Sequence, residues 1–246
     1  VTGKVHWDKL NSRGSSRFVD TQPDFITCTD PWFRPVDAAV GPDGALYIAD
    51  FYNAIIGHYE VELEHPKRDR THGRVWRIRY QGDGKPLPTH LDLTKHGLED
   101  LINRLGDPNL VTRTLALNYL VDNYGKAAAP AVRKAMAKGN GELVAYGMWA
   151  LERTGGLADD MLGKLSKGVE ILPRIFAMKI LAERRALTPF QQNLVLSGLQ
   201  DADPTTRRSA ADALTRHLLP HSILPLFDAW GQADEKDTHL IHVIRM

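Results

Sequence analysis

An internal repeat in the second half of the chain constrains the fold more than any other feature. Each copy begins with a large apolar residue, and an arginine or a valine follows eight or nine residues later. A small residue comes three residues after that, and a leucine four residues further on. The four copies are Leu105, Arg113, Ala116 and Leu120; Met136, Val144, Gly147 and Leu151; Leu165, Arg174, Ala177 and Leu181; and Leu199, Arg207, Ala210 and Leu214. A fifth, shorter copy ends at His242 and Met246. The spacing of 30 to 33 residues suits two short helices per unit.

The repeat also has the composition that helix packing requires. A small residue lets one helix approach the next closely, and the leucine one turn later fills the layer between them. The pattern therefore predicts an α-solenoid of HEAT-like repeats over residues 91–246. Its helices are predicted to begin at Asp107-Pro108, Thr188-Pro189 and Asp203-Pro204. Gly125 and the pair Gly155-Gly156 are predicted helix ends.

The first 90 residues have a different pattern, with short β-branched and aromatic runs broken by Gly, Pro and Asp. Val36–Val40 and Ala45–Ala49 form a predicted hairpin around the turn Gly41-Pro42-Asp43-Gly44. Gly73–Tyr80 alternates well enough for a further strand. The segment Gly82–Pro88 is the predicted domain boundary. The whole chain is thus predicted to be mainly α with an N-terminal antiparallel β segment.

Composition excludes several classes of function. Lys and Arg total 31 against 30 for Asp and Glu, so no overall field draws the chain to nucleic acid. Cys28 is the only cysteine, which excludes an internal disulfide and a C-x-x-C-H haem attachment within these residues. The sequence contains no apolar run of about 18 residues, so no transmembrane segment is predicted. Its first residues do not resemble a signal peptide.

The predicted hairpin places polar residues at one rim. Its strand ends bring Arg34 and Asp37 beside Asp50 and Asn53. The long segment from Ala54 to His72 is expected to emerge at the same rim, and it adds His58, His65, Asp69 and His72.

Three chemistries remain open for such a rim. Its His, Asp and Asn side chains could ligate a metal, Arg34 could hold the carboxylates of a quinone cofactor, or an imidazole could act as the base in alcohol oxidation. None of the spacings is diagnostic. The structural alternative is that Asp50 and Asn53 cap turns, that Arg34 pairs with Asp37 or Asp50, and that the histidines lie on a solvated loop.

Other charged groups are interpreted as structural. The basic segment Lys67–Arg79 would have its field reduced by Glu60, Glu62 and Glu64, so nucleic acid is not an expected partner. The repeated arginines at 113, 174 and 207 are predicted to pair with acids of the neighbouring repeat. The histidine pairs at 217 and 221, and at 239 and 242, lack a third metal ligand nearby in sequence.

Two stretches of the β segment resemble one known family. They are Trp32-Phe33-Arg34-Pro35-Val36-Asp37 with Gly41–Asn53, and Ile56-Gly57-His58-Tyr59 with Arg68–Arg74. The family is the PVC-type haem-binding, membrane-bound-dehydrogenase-like family. The resemblance implies a six-bladed β-propeller similar to sugar and sorbosone dehydrogenases, then HEAT repeats, then a cytochrome c domain. By this resemblance residues 1–90 are the C-terminal blade or blades of an incomplete propeller.

The resemblance implies an exported or periplasmic parent that oxidises a sugar or an alcohol, with haem c and a quinone or calcium as cofactors in the missing domains. The 246 residues would then be an inactive fragment whose HEAT region spaces a propeller from a cytochrome. The alternative is a non-enzymatic scaffold whose curved helical surface binds another protein. Because the β segment has too few strands to close a propeller, its edge is expected to pack on the first helices or to pair with another chain.

Overall fold

A computed structural model describes residues 3–57, 60–82, 91–217 and 219–246. The chain is mainly α with an antiparallel β segment at its N-terminus, as the sequence predicts. It divides into two compact units. The first contains Val1–Leu10 and Val19–Leu91, and the second contains Asn11–Phe18 and Asp92–Met246. Of the predicted boundary segment, residues 83–88 lie outside the described residues.

The β segment contains seven described strands in three small sheets. The strands are β1 (Lys4–Val5), β2 (Asp8–Arg13), β3 (Ser16–Thr21), β4 (Ile26–Thr27), β5 (Pro35–Val40), β6 (Leu46–Asp50) and β7 (Arg74–Ile78). β1 pairs with β4, β2 pairs with β3, and the third sheet has the order β5-β6-β7. The predicted hairpin and the predicted strand after Gly73 are both confirmed, because β6 pairs antiparallel with β5 and with β7.

The turn of this hairpin depends on its glycines. Gly44 has φ +76°, a conformation that other residues rarely adopt. A Cβ on Gly41 would lie 2.5 Å from the Tyr47 ring. The opposed residues Ala38, Ile48 and Trp76 share one face of the sheet, and Ile48 is buried there. Every β5 residue after Pro35 is exposed, so the pairing of this edge with another chain stays a prediction.

The second unit is built mainly from helices. They are α1 (Leu98–Arg104), α2 (Leu110–Tyr124), α3 (Ala129–Met136), α4 (Gly141–Arg153), α5 (Asp159–Leu165), α6 (Ile171–Glu183), α7 (Pro189–Gly198), α8 (Pro204–His217), α9 (Ile223–Gly231) and α10 (Thr238–Arg245). Short 3₁₀ turns occupy Leu93–Lys95, Gly125–Ala128 and Pro220–Ser222. Within the described ranges, no helix has the length and apolar character needed to cross a membrane.

The helix boundaries follow the sequence signals with one correction. Thr188 caps α7 in a reciprocal capping box with Gln191, and the Asp203 carboxylate accepts a 2.7 Å hydrogen bond from Thr206 N–H at the start of α8. The prediction for α2 at Asp107 is wrong, because the Asn109 side chain is the cap and accepts from Val111 and Thr112 N–H. Asp107 instead accepts from Asn109 N–H, which orders the preceding turn.

The repeated positions form the core of this unit. The small residues at 116, 147, 177 and 210 are all buried, and so are the leucines at 120, 151, 181 and 214. Within each successive pair, from α1 with α2 to α9 with α10, the two helices contact each other. Each even-numbered helix also contacts the next one, from α2 through α4, α6 and α8 to α10. The apolar period in the sequence therefore marks the surfaces along which neighbouring helices pack.

The position of the fifth copy that corresponds to Ala210 is Ile244, two residues after the predicted His242. His242 is exposed and Met246 is 77% exposed, whereas Leu240 is buried and Ile244 packs against the core. Asp237 caps α10, 34 residues after Asp203 begins α8. The loop before α10 is longer than the others, which moves the register.

The predicted pairing of the repeated arginines with acids of the neighbouring repeat is confirmed for one of the three. Arg113, Arg174 and Arg207 each donate through Nη1 to the two carbonyl oxygens five and six residues earlier, in the turn that precedes their own helix. Only Arg174 also pairs with an acid of the following repeat, Asp201, at 2.9 Å.

Other arginines bridge the repeats instead. The Arg184 guanidinium holds Glu152 at 2.9 and 2.7 Å and Asp159 at 3.1 Å. Arg216 lies 3.7 Å from Glu183.

Candidate functional site

Asp50 lies at the end of β6, where the sequence predicts a polar rim, and its side chain is buried. Its Oδ1 accepts hydrogen bonds from Arg34 N–H at 2.8 Å and from Tyr52 N–H at 2.9 Å. Its Oδ2 accepts from the Trp76 indole N–H at 3.0 Å. The Asp50 carboxylate therefore accepts hydrogen bonds from three protein donors. These bonds order the turn after β6 and connect the end of β6 to Trp76 on β7.

Arg34 and Asp37 are not joined by their side chains. The Arg34 guanidinium donates to Phe33 O at 2.9 Å, and its buried Nε has no hydrogen-bond partner among the described residues. Asp37 is exposed, pairs in register with Ala49, and so lies on the face of the sheet opposite to Asp50. Of the proposed pairing of Arg34 with an acid, the structure contains only the backbone bond to Asp50.

The other predicted rim residues form a second small group. The buried Asn53 side chain donates to Asp69 O at 2.7 Å, which ties the two ends of the segment together. The Asp69 carboxylate accepts from His72 Nδ1 at 2.8 Å and from the N–H groups of Thr71 and His72. His65 accepts from Lys67 N–H through Nδ1. His58 lies outside the described residues.

The electrostatics of Asp69 follow from these contacts. Hydrogen bonds from Thr71 N–H, which has the largest effect, and from both donors of His72 together lower the pKa of the Asp69 carboxyl to about 2, and burial opposes this only in part. Asp69 is therefore charged at neutral pH. Its 2.8 Å hydrogen bond holds the His72 side chain, whose ring is largely solvent-exposed.

An aromatic and cationic cluster at the same end of the sheet was missed in the sequence. The Arg74 guanidinium lies 3.3 Å from the centroid of the Tyr52 ring, and the Trp32 ring lies 5.5 Å from that of Tyr52. Tyr52 has φ +46°, which is uncommon for a residue with a side chain. Arg74 also lies 3.8 Å from Asp30. The only available signal was the alternation of aromatic and basic residues around β7.

Asp43 holds the hairpin turn to β7. Its Oδ2 accepts from Arg77 Nε at 2.9 Å, from Arg77 Nη2 at 2.6 Å and from the Tyr47 hydroxyl at 3.0 Å. Burial raises the pKa of the Asp43 carboxyl, but hydrogen bonds from Arg77, Ala45 N–H and Tyr47 outweigh it, and the pKa lies below the usual 3.8. This buried acid therefore serves the fold.

The basic segment around residues 67–79 is similarly engaged. Arg68 donates to the carbonyl oxygens of Gly57, Glu62 and Val61, and Arg70 donates to Leu63 O. These arginines order the long segment before β7 through its own backbone.

A buried polar cluster in the second unit is centred on Asp237. Asp237 accepts from Ser15 N–H at 2.6 Å and from the hydroxyls of Ser15 and Ser16, both at 2.8 Å. Arg208 donates to Ser15 O at 2.7 Å, and Ser16 Oγ accepts from His239 N–H. Burial raises the pKa of the Asp237 carboxyl, but the Ser15 and Ser16 hydrogen bonds outweigh this and lower it below 3.8. The turn between β2 and β3 is thereby fixed to the start of α10.

The described residues do not offer a metal site. Among them, no three His, Cys, Asp or Glu side chains come together as a metal ion requires. His217 instead contacts Leu181 O through Nε2, and His239 contacts Arg208. Asp50 and Asn53, two of the candidate ligands at the rim, already hydrogen-bond protein groups.

The helical unit has open clefts at its surface. A cleft of about 390 Å³ adjoins the ion pair of Arg174 and Asp201. Another of about 430 Å³ lies between α1 and α3, beside Glu99, Lys134 and Lys138. Neither cleft contains a nucleophile paired with a base, so these groups provide charge at the surface without an evident catalytic arrangement.

Comparison with known families gives one match. A family described as a domain of unknown function, DUF7133, matches residues 3–82, which comprise most of the β-rich part of the chain. No curated protein matches the chain.

Proposed function

We propose that residues 91–246 form an α-solenoid of HEAT-like repeats that acts as a scaffold. Two observations carry this proposal: each even-numbered helix contacts the next, and the repeated small and leucine positions are buried. Each unit packs on its neighbours, so the helical surface extends with the number of repeats. Arg113, Arg174 and Arg207 support the proposal because all three make the same contacts to the turn before their helix.

The parent is proposed to be an exported, dehydrogenase-like haem-binding protein, in which this scaffold spaces a propeller from a cytochrome c domain. Residues 1–90 would supply the C-terminal propeller blade or blades. Two features of the described residues support a role for them in that larger assembly. The sheet β5-β6-β7 has only three strands, and Val36, Val40 and Val75 on it are more than half exposed. A blade that packs between other blades would cover such side chains.

Catalysis is proposed to lie outside these 246 residues. The rim side chains already form hydrogen bonds within the protein, namely those of Asp50, Asn53 and Asp69. Their partners include backbone groups and, for Asp50, the indole N–H of Trp76. Oxidation of a sugar or alcohol would need a base and a cofactor site that these contacts do not leave open.

Cross-linking of the product of the complete reading frame tests the spacer role. Exposed lysines of the helical unit, such as Lys134, Lys138 and Lys179, would be linked to neighbours and the links mapped by mass spectrometry. A spacer gives links to domains on both sides of residues 91–246 in the same chain. Links to a different protein, from a parent without haem, would favour the alternative of a non-enzymatic protein-binding scaffold. Links confined to residues 91–246 would contradict both.

A further inference from the structure

The helix α9 exposes a large apolar face. Ile223, Leu224, Phe227 and Trp230 are 56%, 75%, 58% and 40% exposed. Their spacing puts them on one side of the helix, whereas Ala229 on the other side is buried in the core. We call these four residues the α9 face. The rings of Phe227 and Trp230 lie 6.1 Å apart, so the aromatic part of the face is continuous.

The corresponding face of the preceding repeat is less apolar. The step of 34 residues from Asp203 to Asp237 aligns the α9 face with Pro189, Phe190, Asn193 and Leu196 of α7. A contiguous apolar patch of this kind on a helix surface is typical of a protein–protein contact site.

We infer that a second copy of this chain covers the α9 face, with two α9 helices packed antiparallel about a twofold axis at Phe227. In this arrangement Ile223 of one copy lies opposite Gly231 of the other, and Leu224 lies opposite Trp230. Gly231 leaves room for Ile223 of the other copy, because a Cβ built on Gly231 has nothing within 4 Å. The face is self-complementary, as a twofold interface requires.

The chain already uses the same kind of contact between two of its own helices. Gly163 of α5 lies under Phe190 of α7, and a Cβ on Gly163 would be 2.9 Å from the end of that ring. A bulky side chain from a second α9 can therefore use a glycine in the same way.

Charge and area favour a second copy over a membrane surface. The exposed Asp228 lies on α9, and Arg245 lies 5.5 Å from the Trp230 ring, so the surroundings carry one charge of each sign. Two such faces do not repel each other, whereas a membrane-binding helix carries several Lys or Arg residues. Four half-exposed side chains present about 400 Å², and two copies with their rims approach the ~1,000 Å² of a specific interface.

Sedimentation of the 246-residue chain over a range of concentrations tests the inference. The expected species is a reversible dimer of about twice the 27.5 kDa chain mass, with half-association in the micromolar range, about 1–100 µM for a small interface. Phe227→Asp weakens dimerisation at least about 100-fold, since the substitution removes a buried ring twice per dimer. Leu224→Glu, at a more exposed position, gives a loss in the same direction. Val169→Asp is the matched control, because Val169 is 95% exposed in a loop, and its dimerisation stays unchanged.

Disulfide trapping locates the axis. In a Cys28→Ser background, Phe227→Cys places one thiol of each copy beside the other at the axis, and mild oxidation yields a covalent dimer. Val169→Cys in that background yields none. Each variant is first checked for the helical circular dichroism of the parent chain. A chain that stays monomeric at about 100 µM, or a dimer unaffected by both substitutions in the α9 face, overturns the inference.

Discussion

Replacing Asp50 is the sharpest test of the interpretation that the polar rim stabilises the fold. The change to Ala removes the acceptor of three donors, Arg34 N–H, Tyr52 N–H and the Trp76 indole N–H. A donor left unpaired on burial costs about 1–3 kcal/mol, and the partial exposure of Trp76 puts this site at the lower end. We therefore expect a loss of about 3–4 kcal/mol in the free energy of unfolding of the first unit.

Asp50→Asn separates the individual contacts. The amide oxygen can still accept from the two backbone N–H groups, but the amide nitrogen then faces the Trp76 indole N–H, which is also a donor. The expected loss is about 1–2 kcal/mol. Asp37→Ala is the matched control, because Asp37 is an exposed acid in the same sheet that accepts only from the adjacent Ala38 N–H. It should change stability by no more than about 0.5 kcal/mol.

Guanidinium chloride unfolding provides the measurement. In a background with Trp149→Phe and Trp230→Phe, fluorescence reports on Trp7, Trp32 and Trp76 of the first unit, while far-UV circular dichroism follows mainly the helices of the second. With a dependence of about 3 kcal/mol per M, Asp50→Ala moves the fluorescence midpoint by about 1 M. If Asp50→Ala proves as stable as Asp37→Ala, the rim does not stabilise the fold, and ligand binding becomes the better interpretation.

Three further predictions concern the helical unit. Asp237→Asn should cost about 2–3 kcal/mol at pH 7, measured by denaturant unfolding against the exposed acid Asp228→Asn. The pKa of the Asp237 carboxyl is lower in the folded than in the unfolded protein. Its contribution to the free energy of unfolding is therefore present above about pH 4 and is lost as the pH falls below 3.8 through the folded pKa. The Asn variant should accordingly lose less stability on acidification than the parent chain. Arg184→Met should cost about 1–2 kcal/mol by removing the links to the preceding repeat, whereas its exposed neighbour Arg185→Met should be neutral, and equal midpoints would contradict this. Ala210→Leu should lower the thermal midpoint by overpacking the close contact of α8 with Gly198 of α7, at a cost of about 1–3 kcal/mol. An unchanged midpoint would refute this close approach.

Local signals in the sequence predicted much of the fold. The caps at Thr188 and Asp203 were found because a side-chain oxygen acts on N–H groups two or three residues away. The hairpin at Gly41–Gly44 was found for the same reason, since its turn depends on adjacent residues. Asn109 was overlooked in favour of Asp107 because both precede the helix closely and both have capping side chains.

Contacts between distant residues could not be predicted in this way. Ser15 and Asp237 are 222 positions apart, and nothing in either local pattern indicates the other. Asp237 before Thr238 was itself a recognisable cap signal, and using it would have corrected the register of the fifth repeat. The pairing predicted for the arginines is confirmed for Arg174 but not for Arg113 and Arg207. An arginine on a helix can reach its own preceding turn or the next repeat, and the three-dimensional arrangement decides which.

The candidate site illustrates the same limit. Strand pairing correctly brought the Arg34 backbone to Asp50, but the irregularity between Pro35 and Asp37 put the Asp37 side chain on the other face. The stacking of Arg74 on Tyr52 depends on the unusual backbone at Tyr52, which no sequence pattern marks.

Covalent haem in the product of the complete reading frame is the most direct test of the proposed parent. The purified, full-length protein would be expressed with haem-attachment machinery and its pyridine haemochrome spectrum recorded. The account predicts a c-type spectrum, with the haem peptide and its C-x-x-C-H sequence mapping outside these 246 residues, and electron transfer from a sugar or alcohol to that haem. A full-length product with no such sequence, no covalent haem and no dye-linked oxidation would contradict it.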